Sequence, residues 1–237
     1  MTHLLSLGRF YGIDSIIDIL IICISLLIFT QSKRIYNLIK EKNFNYFSFA
    51  FLGIAIAYFF KVIINLTYVY YITLSDVHLR TCLNYIVEEL EFMQLINLFS
   101  TLFFKVFLLG GFLILFLISI KNRNNNSNLL FMYFSIIIIL MSLYFDFLFN
   151  LTIVFILISL VIYFYKNSKK VNSKQSKLIF ISFLPILLSN LLGIFYNGGT
   201  TIYLIEEILL FIGFLILFLT HLKFRVKNEK KNKTRGN

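Results

Sequence analysis

Tryptophan is absent from this chain, proline occurs once, at Pro185, and cysteine occurs twice, at Cys23 and Cys82. Two cysteines, neither in a CxxC pair, exclude a disulfide framework as the basis of the fold. Charge is scarce as well: 14% of residues are Asp, Glu, Lys or Arg, against about a quarter in soluble globular domains. The polar segments between apolar runs reach about 17 residues, too short for an inserted kinase or nuclease domain. There is no GxSxG and no HExxH, so neither the serine-hydrolase elbow nor the zinc-protease helix is present.

What fills the chain instead is apolar: 59% of its 237 residues, with 29 phenylalanines and 14 tyrosines. These residues form long runs separated by short charged blocks, the pattern of helices whose solvent is lipid. The formal charge of +11 would suggest nucleic acid in a soluble domain. Here the basic residues flank apolar runs, as topology-determining charges do, and nucleic-acid binding is not expected. Arg9 ahead of the first run has the look of a signal peptide, yet no small-residue cleavage site follows. The run is expected to be a retained first helix.

At about 20 residues per crossing, the runs predict an all-α, polytopic fold of seven transmembrane helices. They are expected near residues 12–30, 47–70, 92–120, 129–146, 148–165, 178–196 and 201–223. Residues 1–223 would form one domain and residues 224–237 a basic tail. The run from Leu129 to Tyr165 is divided because it is too long for one crossing, with Asp146 and Asn150 as turn residues. Residues 76–92, with Leu79, Leu83, Ile86 and Leu90 at helical spacing, fit a short surface helix or a plain loop.

Orientation follows from the excess of Lys and Arg on cytoplasmic loops. Of 22 such residues, 18 lie after the odd-numbered helices, from Lys33 through Lys166 and Lys177 to Arg235. The opposite side holds Arg9 and Arg80 together with Asp76, Glu88, Glu89 and Glu91. This places the N-terminus outside and the C-terminus inside, in the cell membrane. Tyrosines such as Tyr46, Tyr68, Tyr165 and Tyr196 gather near helix ends, where a ring with one polar tip is stable.

A few ionisable residues lie within the runs, where each costs roughly 2.5–3.5 kcal/mol on insertion scales. Lys61 in helix 2 has Tyr58, Asn65 and Tyr68 on its face, and Lys105 in helix 3 has Asn97 and Thr101 at intervals of four. The available acids are Asp14 and Asp18 in helix 1, Glu206 and Glu207 in helix 7, and Asp146 at the outer end of helix 4. All belong to the outer half, so an outward-facing polar pocket is one reading. Snorkelling of Lys61, a dipole role for the Glu pair and a structural salt bridge at Lys105 are the others. Pro185, with Ser182, Ser189 and Asn190 nearby, is a candidate hinge or a packing irregularity. Gly110 and Gly111 permit close helix contact. His78 and Cys82, four apart, are an incomplete ligand set; no metal and no cofactor are expected.

Helix 7 has no lysine before Lys223, which separates the chain from retinal proteins. The Ile118-Ser119-Ile120-Lys121 end of helix 3 lacks the acidic-Arg-aromatic triplet of G-protein-coupled receptors. The segment Ser32-Lys33-Arg34-Ile35-Tyr36-Asn37-Leu38, continuing through Lys42 to Phe47-Ser48-Phe49-Ala50-Phe51, resembles the first inner loop of uncharacterised small archaeal seven-helix membrane proteins. That resemblance covers about 20 residues and implies no activity. The architecture is also loosely similar to the membrane input modules of sensor kinases. The expectation is a non-enzymatic sensor or receptor-like binding subunit with a polar site in its outer half. Its partners would be the lipid bilayer and a cytoplasmic protein met through the basic loops. The competing expectation is a small secondary transporter or proton-coupled carrier, against which stands the lack of internal repeats and of paired broken helices.

Overall fold

A computed structural model describes residues 13–77, 83–120, 125–142, 146–171, 174–195 and 200–233, with side chains placed for 14–67, 92–119, 133–142, 147–169, 177–195 and 202–223. The described chain is all helical: α1 (Ile13–Ile39), α2 (Lys42–Val77), α3 (Leu83–Ile120), α4 (Asn125–Ser142), α5 (Asp146–Val171), α6 (Lys174–Ile194) and α7 (Thr200–Lys233). Among the described residues, α1, α2, α3, α5, α6 and α7 are long and apolar enough to cross a membrane. In α4 the apolar described stretch is Tyr133–Ser142, about 15 Å at 1.5 Å per residue.

Six helices close a ring in the order α1, α2, α3, α5, α6, α7 and back to α1, while α4 packs outside it against α3 and α5. The closure of α1 on α7 joins the two ends of the sequence, and the site described below depends on it. Aromatic rings fill the interior: Tyr58 meets Phe104 and Phe214 edge to face at 6.2 and 6.0 Å, and Phe104 meets Phe149 at 6.3 Å. The outward faces carry large apolar side chains, among them Ile16, Leu66, Phe103, Ile136 and Phe155. A bundle that is apolar both inside and outside suits lipid as its solvent.

Without a hydrophobic drive between helices in lipid, close packing needs small residues. A Cβ on Gly111 would fall 2.9 Å from the Ala50 carbonyl oxygen, and one on Gly53 3.7 Å from the Gly111 Cα. One on Gly213 would fall 3.0 Å from the Ser182 carbonyl oxygen and against the Ile186 side chain. Gly110, expected to share this role, has nothing within 4 Å of such an atom. The antiparallel register of α2 and α3 sets Gly53 beside Gly111 and Tyr58 beside Phe104.

Several boundaries differ from those expected. Residues 31–39 continue α1, and residues 42–46 already belong to α2, so the loop resembling an archaeal inner loop shrinks to Lys40 and Glu41. The reason is that leaving lipid does not end a helix; Gln, Lys, Arg and Leu are all competent helix formers. Lys40 ends α1 in the left-handed region, φ 61°, and its N–H donates to the Tyr36 carbonyl at 2.7 Å. Residues 76–92, expected as a short surface helix or a plain loop, are divided instead, since α2 continues to Val77 and α3 starts at Leu83; His78 and Cys82 lie outside the described residues. Asp146 opens α5 instead of closing helix 4. Residues 197–199, between the last two expected helices, lie outside the described residues, and Thr200 opens α7.

Candidate functional site

Asp18, Lys61 and Glu207 come from α1, α2 and α7, and ring closure brings them together near one end of the bundle. The Lys61 ammonium donates to Asp18 Oδ1 at 3.0 Å and to Glu207 Oε1 at 2.5 Å. Asn65, one turn along α2, donates from Nδ2 to Asp18 Oδ2 at 3.0 Å. The Lys61 Nζ also stands 5.4 Å from the centre of the Tyr58 ring. Lys61 is therefore turned into the bundle, with 17% of its side chain exposed, against 0% for Asp18 and 5% for Glu207.

Two carboxyl groups share one ammonium in a buried location. Glu207 Oε2 is buried with no hydrogen-bond partner, and so is Asp14 Oδ1, one turn before Asp18. The other Asp14 oxygen accepts from the Tyr203 hydroxyl at 3.4 Å. The cluster can therefore accept a proton, a cation or a hydrogen-bond donor without first breaking its existing bonds.

The remaining expected residues lie elsewhere. Glu206 faces α6, where a Cβ on Gly193 would meet its Oε1 at 2.9 Å. Adjacent residues on a helix point about 100° apart, which is why the Glu pair splits between two neighbours. Lys105 is buried and donates to the Ser142 backbone oxygen at 2.7 Å, with its Nζ 5.7 Å from the Phe149 ring centre. Ser142 is the last residue of α4, so Lys105 satisfies a carbonyl that the helix end leaves open and complements the negative end of its dipole. By the α2–α3 register Lys105 lies about one turn deeper than Lys61, on the side of α3 that meets α4 and α5. Thr101 donates to the Asn97 carbonyl at 2.7 Å, and the Asn97 side chain is exposed. The Asp146 side chain lies outside the described residues. Pro185 sits within a continuous α6, one turn past Ser182, beside the place where Gly213 of α7 packs on Ser182 and Ile186. Among the described residues no group of three His, Cys, Asp or Glu side chains is placed to hold a metal ion.

Sequence reasoning missed a second link between α1 and α7. At the far end of the ring the Ser32 Oγ and His221 Nε2 lie 3.1 Å apart, and His221 stacks on Phe47 with centroids at 5.9 Å and 17° between planes. The signal was present as a spacing: Ser32 follows Asp18, and His221 follows Glu207, by the same 14 residues. That is close to four turns, about 21 Å along the same helix face. Helices α1 and α7 are thus joined at matching positions in parallel register.

Comparison with protein-family models, with curated proteins and with solved structures finds no match to this chain. Its fold and apolar spans define the class alone: an all-helical, multi-pass membrane bundle with a buried ion cluster.

Proposed function

We propose that the chain is a seven-crossing receptor-like module of the cell membrane, N-terminus outside and C-terminus inside, which binds its signal at the Lys61 cluster. The observation that carries this reading is the Asp18–Lys61–Glu207 cluster itself, charged, incompletely paired and shared by three helices. A cationic or donor ligand, or a proton, arriving at Glu207 Oε2 changes what holds α1 to α7. The Ser32–His221 contact about 21 Å away offers a route to the basic loops, where a cytoplasmic protein partner would read the change. The side assigned to those loops does not depend on α4 crossing completely. Because α4 and α5 form a hairpin, the chain returns to the same face either way.

The test is a disulfide trap of the relay. In a Cys23→Ser, Cys82→Ser background, Ser32→Cys with His221→Cys is oxidised in membranes and the cross-linking rate is compared with and without Glu207→Gln. A change of several-fold in that rate supports the relay, and identical rates count against it. The carrier reading is favoured by one observation, the second carboxyl group on one ammonium, which suits loading and unloading of a proton. Proton-gradient-driven uptake into proteoliposomes that is lost in Glu207→Gln would transfer the assignment to transport.

A further inference from the structure

A cavity of about 340 Å³ lies at the opposite end of the bundle from Lys61, among residues of α2, α3, α5, α6 and α7 and the turn before α2. That volume falls within the range of small-molecule sites, about 300–1,000 Å³. Five of its lining side chains are aromatic: Phe44, Phe47, Tyr163, Phe164 and Phe183. Two stacks build its walls, Phe164 on Phe183 with centroids at 5.3 Å and 10° between planes, and Phe47 on His221.

Among the described residues the lining contains one formally charged residue, Glu41, although this end of the protein is rich in lysine. The turn explains the exception. Lys40 takes the left-handed conformation, and its ammonium lies over the Tyr36 ring at 5.9 Å, on α1. Lys42 and Lys166, neighbours of the lining residues Asn43 and Asn167, are exposed and do not line the space. Other polar lining atoms already have partners: His221 Nε2 meets Ser32, and the hydroxyls of Ser119 and Thr220 donate to carbonyls of their own helices. Besides these, the described lining offers aromatic rings, the neutral polar side chains of Asn43, Asn167 and Tyr163, and the acidic residue Glu41. Ring faces attract cations through their quadrupole, and a carboxylate at the same space adds an opposite charge.

We propose that this cavity is a binding site for a small organic cation, an alkyl- or aryl-substituted ammonium, held by the aromatic walls and by Glu41. The site is separate from the Lys61 cluster and does not depend on the function assigned there. The test uses the full chain in detergent with benzyltrimethylammonium as probe and benzylsulfonate as its anionic counterpart, bound amounts being measured by equilibrium dialysis. Saturable binding of the cation is expected, at least about tenfold tighter than the sulfonate, and weakened about tenfold in Glu41→Gln. Leu115→Trp, which fills the space and leaves Glu41 in place, should abolish it. Glu41 is exposed, so Glu41→Gln decides the matter even where Leu115→Trp does not fold. No saturable binding of the cation, equal binding of cation and sulfonate, or cation binding unchanged in Glu41→Gln would each overturn the proposal.

Discussion

Removing the Lys61 ammonium should destabilise the bundle strongly. In Lys61→Met the stem still fills its space, but two hydrogen bonds of 3.0 and 2.5 Å to carboxylates are lost. Each charge-assisted bond contributes about 1.5–3 kcal/mol, and stranding a buried ion by deleting its partner costs about 3–5 kcal/mol. The larger part of the loss is therefore the penalty left on Asp18 and Glu207, not the attraction itself. For a chain of this size each kcal/mol moves the midpoint by about 2–4 °C, so a fall of roughly 6–20 °C is expected. Thermal unfolding of purified protein in one fixed detergent reads it, with aggregation followed in parallel. Combining Lys61→Met with Asp18→Asn and Glu207→Gln removes the stranded charges and should recover most of the loss. A Lys61→Met midpoint within about 2 °C of wild type, or a triple variant no better than the single one, would refute the reasoning.

Other outcomes follow from the same geometry. Lys105→Met should cost about 1.5–3 kcal/mol through the lost bond to the Ser142 carbonyl. Because the Ser142 carbonyl is not among the groups that Lys61 bonds, a thermal-unfolding cycle should show the two losses adding to within about 0.5 kcal/mol. The neighbouring glycines of α3 should respond with opposite signs. Gly110→Ala gains about 0.5–1 kcal/mol of helix stability in open space, whereas Gly111→Ala loses about 1–3 kcal/mol against Ala50 and Ile54; detergent stability of the two proteins checks this. Lys40→Gly removes the cost of about 1–2 kcal/mol for a side chain in the left-handed region, offset in part by glycine's own entropy, so a small rise in midpoint is expected.

How much of this was legible in the sequence depends on which interaction does the work. Hydropathy reports on a single helix at a time, so the six long spans could be read without knowledge of their neighbours. Helix ends could not: the reading tied them to the edge of the apolar run, while α1 runs nine residues beyond its expected end through Gln31, Lys33 and Arg34. The polar stripe of Lys61 and Asn65 and the acids Asp18 and Glu207 were visible as misfits in lipid. Which acid answers which lysine was not, because that is decided by α1 closing on α7 and α4 docking outside the ring. Lys61 and Lys105 look alike in the sequence as buried cations, yet one bond that Lys105 makes is to a backbone carbonyl, and every residue type carries one. Ser32 and His221 went unnoticed for a related reason: next to basic residues they look like ordinary solvated positions, and only the matched 14-residue spacing sets them apart.

In the proposed topology the Lys61 cluster and the basic loops face opposite sides of the cell membrane, and labelling measures this most directly. With Cys23→Ser and Cys82→Ser as background, a single cysteine is introduced as Ser75→Cys or Asn172→Cys and intact cells are treated with a membrane-impermeant maleimide. Ser75→Cys should be labelled at once and Asn172→Cys only after the cells are opened. Labelling of Asn172→Cys from outside intact cells would contradict the account.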